Sequence, residues 1–162
     1  MKKNLLIYIP SIEEGGVEKN LYIISNYLSK KSLNISLLTC NFNKINYFNK
    51  SISYIGPKNN FWNEKSRKIK NLIFLIILFI KLLFSNEKYL VFAFQSSITA
   101  IIISKILGNK VITRSNSSPV GFSKNFFYIK FYSIIIKFSD AVIVNSHEFS
   151  KLFFKMFKKK TI

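Results

Sequence analysis

The sequence is poor in the residues that most often hold metals or form disulfides. It contains one cysteine, Cys40, and one histidine, His147. A single cysteine cannot form an intrachain disulfide and fits a reducing compartment. One cysteine, one histidine and scattered carboxylates make no metal-ligand set. We therefore predict no metal and no cofactor.

Several nucleotide-binding and catalytic motifs are also missing. The chain has no Walker loop, no Gly-x-Gly-x-x-Gly after its first apolar run, and no Gly-x-Ser-x-Gly. No acidic residue ends the second predicted strand. These absences argue against a P-loop nucleotidase, a dinucleotide-binding domain and a serine hydrolase of the nucleophile-elbow type.

No hydrophobic run is long enough to cross a bilayer. The longest, residues 72–80, is interrupted by Lys81, whereas a spanning helix needs about 20 apolar residues. The N-terminal run, residues 5–9, is soon followed by Pro10 and Glu13 and is not a secretory signal. Residues 65–84 are favoured as a core helix, and a helix lying in the membrane interface is the alternative.

Charge of one sign dominates. The net charge is +18, and only Arg67 and Arg114 are arginines among 25 basic residues. Such an excess suggests an anionic partner, either a membrane surface, a nucleic acid or a phosphorylated substrate. An AT-rich coding bias would also enrich Lys, Asn, Ile and Phe, so both explanations stay open.

What the sequence does contain is a regular alternation of strand and helix patterns. This alternation predicts one α/β domain, residues 1–162, with a doubly wound, mostly parallel, Rossmann-like sheet of about six strands. The predicted strands are 5–9, 34–39, 51–55, 89–94, 110–113 and 140–144, and 40–50 is a predicted loop. The predicted helices are 17–31, 65–84, one from Ser96 or Ser97 to Leu107, 124–138, and one capped by Ser146.

Polar loops follow four of these strands. In doubly wound sheets ligands bind beyond the carboxyl ends of the strands, so we expect these loops to meet along one edge. They comprise residues 10–16, Gln95-Ser96-Ser97, residues 114–118 and Asn145-Ser146. This convergence predicts a binding site more strongly than any single residue does.

The first of these loops carries adjacent glycines, Gly15 and Gly16, at the start of a helix. Glycines at such a position leave backbone N–H groups open to an anionic ligand. Glu13, Glu14 and Glu18 crowd the same loop. Basic groups from elsewhere would therefore have to supply the countercharge for a phosphate.

The motifs at the two ends of the chain resemble the N-terminal domain of family 4 GT-B glycosyltransferases. The opening reads Pro-Ser-Ile-Glu-Glu-Gly-Gly-Val-Glu over residues 10–18, and the closing string reads Ser-Asp-Ala-Val-Ile-Val-Asn-Ser-His-Glu over 139–148. The likeness covers nearly the whole chain in motif order and spacing. It departs from many relatives where Arg114-Ser115-Asn116 stands in place of a histidine.

The resemblance implies a retaining glycosyltransferase that moves a sugar from a nucleotide-sugar donor to a glycan or lipid-linked acceptor in surface polysaccharide synthesis. It implies that Gly15 and Gly16 face the donor diphosphate, and it leaves the catalytic residues unassigned. Glu18 matches the family glutamate and is given a structural role, and His147 a rim or capping role. The acceptor-side residues it implies are Gln95, Ser96, Arg114, Ser115, Asn116, Asn145 and Ser146.

The resemblance also carries expectations about partners and location. The chain ends where the family enters its donor-binding C-terminal domain, so we expect that domain to be missing or to be a separate chain. This chain alone would then be inactive. We expect a cytoplasmic location, peripheral on the inner face of the plasma membrane.

The main alternative is a basic nucleic-acid- or membrane-binding α/β module, and an epimerase of similar architecture is a third. Against nucleic-acid binding, most Phe and Tyr fall at core spacings, and the lysines are spread along the chain.

Overall fold

The sheet is the centre of the structure. The computed structural model describes residues 3–13, 15–31, 33–95, 97–116 and 125–162. The six strands are β1 (Lys3–Tyr8), β2 (Leu33–Leu38), β3 (Ser53–Ile55), β4 (Tyr89–Ala93), β5 (Lys110–Ser115) and β6 (Ala141–Val144).

The strands are all parallel and lie in the order β3-β2-β1-β4-β5-β6. The central strand β1 pairs along its length with β2, where Leu6 lies opposite Ser36, and with β4, where Leu6 lies opposite Val91. The order runs outward from β1 in both directions, as in a Rossmann-like doubly wound domain. The α/β fold predicted from the sequence is therefore confirmed.

Helices connect the strands. They are α1 (Gly16–Ser29), α2 (Arg67–Leu83), α3 (Ser97–Ile106), α4 (Phe126–Ile135) and α5 (His147–Phe157). Short 3-10 helices cover Phe42–Tyr47, Asn60–Glu64 and Ile136–Phe138, so the loop predicted for residues 40–50 contains a helical turn.

The end of α1 differs from the sequence prediction. Lys30 and Lys31 lie beyond the helix and not in its last turn. The chain forms a turn there. The Lys30 N–H donates to the carbonyl of Tyr27 at 3.2 Å, and the Ser29 hydroxyl donates to the carbonyl of Asn26 at 2.9 Å. Such i to i−3 bonds satisfy the last carbonyls but end the α-helix.

Each face of the sheet has its own core. On one face α2, α3, α4 and α5 pack over Leu6, Tyr8 and Val91. On the other face α1 packs over Leu5 and Ile7. Strand residues are apolar on both faces because helices cover both sides of a parallel sheet.

Helix α2 is a core helix, as favoured from the sequence. Phe74, Leu78 and Leu82, spaced four residues apart, are buried against the sheet. Its outer side is also apolar, with Leu72 and Ile76 exposed. Among the residues that the structure describes, no helix is both long and apolar enough to cross a membrane.

Helix α4 is an exception to the expectation that most Phe and Tyr residues fall at core positions. Its buried aromatic residue is Tyr132, which packs edge-to-face on Phe157. The rings of Phe126, Phe127 and Phe131 are exposed. Periodicity placed the helix correctly, but on this nearly all-apolar helix it could not identify which side packs inward.

Hydrogen bonds to Asp140 join the start of β6 to α3 and β5. At the start of β6, Asp140 accepts hydrogen bonds from Lys105 Nζ at 2.6 Å and the Val111 N–H at 2.7 Å. Partial burial alone would raise the pKa of Asp140, but these bonds outweigh it and lower the pKa below its ordinary value.

Further along β6, Ile162 adds backbone bonds to the free edge of the strand. The Ile162 N–H donates to the carbonyl of Val142 at 2.8 Å, and the Val144 N–H donates to the carbonyl of Ile162 at 3.1 Å. These two bonds follow the parallel pattern, so one residue extends the sheet beyond β6.

We expect Gly56→Ala to destabilise the protein. Gly56 has φ of +158°, and a Cβ there would overlap the carbonyl oxygen of Thr39 and lie 2.7 Å from the Tyr54 hydroxyl. Strain of this kind costs about 2 kcal/mol, measurable as a lower free energy of unfolding in urea. The control is Gly16→Ala, where a Cβ meets nothing within 4 Å. Equal stability of Gly56→Ala and the parent chain would contradict the prediction.

Candidate functional site

A cavity of about 520 Å³ opens at the carboxyl edge of the sheet. It lies where β1 and β4 are neighbours and the connections run outward in opposite directions, which is where doubly wound domains bind ligands. Its walls come from the loop after β1, the ends of β4 and β5, the starts of α1, α2 and α3, and one residue of α4. The polar or glycine positions among them include Gly15, Gly16, Gln95, Arg114, Ser115 and Asn116.

The N-terminus of α1 forms one wall. Gly15 is the N-cap residue and has no side chain to accept a bond from the first turn. Gly16 is exposed, and a Cβ built on it meets no atom within 4 Å. Backbone N–H groups of a first turn, with the positive end of the helix dipole, favour an anion placed against them. Glu18, buried in the same turn, also lines the cavity.

The opposite wall is held by amide side chains that join three strand ends. Asn116 Nδ2 donates to the carbonyl of Phe94 at 2.9 Å, which ties the end of β5 to the end of β4. Arg114 Nη2 donates to Asn145 Oδ1 at 3.0 Å, and Asn145 Nδ2 donates to the carbonyl of Asn116 at 3.4 Å. The ends of β4, β5 and β6 therefore form one hydrogen-bonded unit.

Arg114 is the unusual group in this unit. Burial lowers the pKa of its guanidinium, whose Cζ lies 5.6 Å from the ring centroid of Phe94. Its Nε and Nη1 atoms are buried, and among the described residues they have no hydrogen-bond partner and no carboxylate pairs with the guanidinium. A desolvated cation without a counterion costs free energy, which an anionic ligand in the cavity would offset.

A second arginine stands at the mouth of the cavity. Arg67 Nε lies 3.6 Å from Glu13 Oε1, and both side chains are more than half exposed, so the pair contributes little to stability. From the acidic residues of the first loop we predicted that basic side chains on other elements supply the countercharge for a phosphate. Arg67 and Arg114 are in the position to do so.

The sequence-derived site residues divide into three groups. Gly15, Gly16, Gln95, Arg114, Ser115 and Asn116 line the cavity. Asn145 is joined to it through Arg114 and Asn116, whereas Ser146 accepts the Phe149 N–H as the N-cap of α5. Ser146 and His147 line a separate depression next to Ile162. Ser96 lies outside the described residues, as does Glu14.

Sequence reasoning missed Arg67, Asn71 and Tyr132 as lining residues. Arg67 and Asn71 lie in the first turns of α2, which starts at the carboxyl edge because it follows β3. The predicted order of strands and helices therefore already placed the start of α2 at the edge where the cavity lies. Tyr132 reaches the cavity through the packing of α4, for which the sequence holds no local signal.

Tyr132 contributes a neutral hydroxyl to the wall of the cavity. Burial raises the pKa of the Tyr132 hydroxyl to about 12, against which the hydrogen bond with Ser97 acts, so the phenol stays protonated at neutral pH. No group of three His, Cys, Asp or Glu residues within the described ranges is arranged to hold a metal.

Neither a scan of protein-family models nor a search of curated proteins finds a match for this chain.

We expect Arg114→Met to stabilise the unliganded protein. The substitution removes a desolvated, unpaired cation but keeps an apolar chain over Phe94, and exposed Asn145 can bond to water instead. Because Arg114 is only partly buried, the free energy of unfolding should rise by less than about 1 kcal/mol, measured by urea denaturation. Lys151→Met, which removes an exposed charge on α5, is the control. A loss of stability in Arg114→Met alone would contradict the interpretation.

Proposed function

We propose that this chain is the acceptor-side half of a retaining GT-B-type glycosyltransferase, which moves a sugar from a nucleotide-sugar donor to a glycan acceptor in surface polysaccharide synthesis. The observation that carries the proposal is the partly buried Arg114, whose Nε and Nη1 have no hydrogen-bond partner among the described residues, in a cavity that the N-terminus of α1 also lines. Both features favour a phosphate group, and the position at the strand-order switch favours a nucleotide-type ligand.

The donor diphosphate would lie at Gly15 and Gly16. Gly16 presents no side chain, so a phosphate oxygen can approach the backbone N–H groups of the first turn of α1. Arg114 can add charge-assisted hydrogen bonds through Nε and Nη1, which have no other partner among the described residues. Any further residues that bind the nucleotide sugar would come from a second domain or a second chain.

The acceptor would lie on the β4–β5 side of the cavity. Gln95 Oε1 and Asn116 Oδ1 are buried and have no hydrogen-bond donor within the described part of the chain. Sugar hydroxyls can donate to such amide oxygens, and satisfying a buried acceptor recovers free energy that the empty site lacks. Asn116 is fixed for this role by its bond to the carbonyl of Phe94.

We expect uridine or guanosine diphosphate to bind the chain, and the parent nucleoside not to bind. Two charge-assisted hydrogen bonds of about 2 kcal/mol each correspond to a dissociation constant of about 1 mM. Gly16→Val, which fills the open space at the helix start, and Arg114→Met should each weaken binding about tenfold or more. Isothermal titration measures both effects.

The control for this titration is Lys110→Met, which lowers the net charge equally but lies away from the cavity. Equal weakening in all three variants would show nonspecific charge attraction and contradict the proposal. Preference for a DNA oligonucleotide over the nucleoside diphosphates would favour the nucleic-acid-binding alternative. Transfer itself is tested by co-expression with the product of the neighbouring reading frame and a panel of nucleotide sugars.

The proposed location is the inner face of the plasma membrane. Support comes from the net charge of +18 and from the exposed apolar side chains on α2 and α4, such as Leu72, Ile76 and Phe127. Apolar side chains flanked by lysines suit an anionic lipid interface.

We expect the chain to sediment with vesicles containing phosphatidylglycerol and not with vesicles of phosphatidylcholine alone. The attraction is electrostatic, so added salt should weaken it through screening. Sedimentation assays across a salt series measure the effect. Equal recovery with both kinds of vesicle, or with neither, would contradict the proposed location.

A further inference from the structure

Glu18 carries a buried carboxylate to which the proposed function gives no part. It lies in the first turn of α1, is 6% exposed and lines the cavity at the carboxyl edge of the sheet. Its side chain forms neither a hydrogen bond nor an ion pair with the other residues that the structure describes. A buried carboxylate costs free energy unless a cation or hydrogen-bond donors replace the lost water. The dipole of α1 offsets part of this cost, and a ligand in the cavity can offset more.

This carboxylate lies where the donor diphosphate is proposed to bind. A Cβ built on Gly15 would stand 3.1 Å from Glu18 Oε2, so this oxygen lies against the N-cap residue of α1. The proposed diphosphate approaches the same place, at Gly15 and Gly16. Two anions so close together repel each other, and the repulsion is strongest where water is excluded. A cation between the phosphate and Glu18 would turn this repulsion into attraction.

The charges on the walls of the cavity lead in the same direction. Among the described residues the charged groups of these walls are two carboxylates and two guanidiniums, from Glu13, Glu18, Arg67 and Arg114. The described walls therefore carry no net charge. The diphosphate of a nucleotide sugar carries one negative charge on each phosphate. A single divalent cation balances both charges, and the neutral complex then matches the neutral walls.

We propose that the cavity binds the donor diphosphate as its magnesium complex, with Glu18 as the carboxylate ligand that the protein supplies to the metal. This rests on the proposed function, because the diphosphate supplies the other anionic ligands. Mg²⁺ in proteins typically keeps several waters and is held by one or two carboxylates together with substrate phosphates. Glu18, beside the glycines that receive the diphosphate, provides this combination.

The other polar walls suit a metal that keeps its waters. Asn71 Oδ1 is buried in the same cavity and has no hydrogen-bond partner within the described part of the chain. Metal-bound water donates hydrogen bonds, and an amide oxygen accepts them. Within the described ranges no three His, Cys, Asp or Glu residues form a metal-binding group. We therefore expect the chain to bind the metal weakly by itself and more tightly when the diphosphate is present.

The test measures the affinity of the full 162-residue chain for uridine diphosphate by isothermal titration, in magnesium chloride and in EDTA at equal ionic strength. Magnesium should tighten binding about tenfold, the gain expected from one interaction with a charged group. In Glu18→Gln, which keeps the shape of the side chain but removes the charge, magnesium should change the affinity less than about twofold.

Electron paramagnetic resonance of Mn²⁺, which takes the same oxygen ligands, gives a second measurement. The parent chain should bind Mn²⁺ in the presence of uridine diphosphate, and Glu18→Gln should bind it about tenfold more weakly.

Glu13→Gln is the matched control, because Glu13 also lines the cavity but is paired with Arg67 at 3.6 Å. It should keep the effect of magnesium that the parent chain shows. Glu18→Asp keeps the charge and should retain more of the magnesium effect than Glu18→Gln, a difference that loss of folding would not produce. Urea denaturation of each variant checks that it is folded.

The outcomes separate this inference from the proposed function. Binding of uridine diphosphate that magnesium does not change would overturn the metal proposal and leave the phosphate site standing. An equal magnesium effect in the parent chain, Glu18→Gln and Glu13→Gln would show that the metal only neutralises the ligand in solution, which also overturns it. Tighter binding by Glu18→Gln in EDTA, with no magnesium effect in the parent, would overturn it and make Glu18 a competitor of the phosphate. No binding in either solution would remove the proposed function, and this inference with it.

Discussion

Parallel strands cannot be joined by a tight turn, and this constraint organises the molecule. Each strand must return across the sheet through a crossover of a dozen or more residues, here mostly helical. All carboxyl ends then lie at one edge, and the connections after β1 and β4 leave that edge in opposite directions. The cavity is the space that remains between them, so its position follows from topology before any side chain is considered.

The fold could be predicted from the sequence because the spacing of apolar residues distinguished strands from helices. Residues that begin or end helices also marked the element boundaries. Gly108, with φ of +68°, follows the end of α3, and the Ser146 side chain accepts the Phe149 N–H at the start of α5. Topology also brought together Gly16, Gln95 and Arg114.

Other features depended on packing that leaves no local pattern in the sequence. On α4 nearly every residue is apolar, so the choice of Tyr132 as the buried ring depends on how the helix packs against α5. Likewise, the hydrogen bond between Arg114 and Asn145 joins residues 31 positions apart. Lys30 and Lys31 show the remaining kind of error, in which a local turn bond ends a helix early.

The strand-end unit and the cavity have opposite energetic roles. Bonds from Asn116 to Phe94 and from Asn145 to Asn116 satisfy polar groups and fix the geometry of the edge. Arg114 joins this unit through Nη2, but its Nε and Nη1 have no hydrogen-bond partner within the part of the chain that the structure describes. A site that holds a cation in place before any ligand arrives loses stability when empty and needs little reorganisation when filled. The hydrogen bonds of Asn116 and Asn145 stabilise the strand ends and so offset part of the cost of holding Arg114 there.

The backbone bonds of Ile162 have a consequence for self-association. An uncovered outer strand offers its amide groups as a template on which another polypeptide can add, which is a route to aggregation. On β6, Ile162 occupies the amide of Val144 and the carbonyl of Val142. A single residue thus covers the middle of β6, an edge strand of four residues. The hydrogen bond from Lys159 Nζ to the carbonyl of Ser139, 2.6 Å long, holds the C-terminal segment with Ile162 against the sheet.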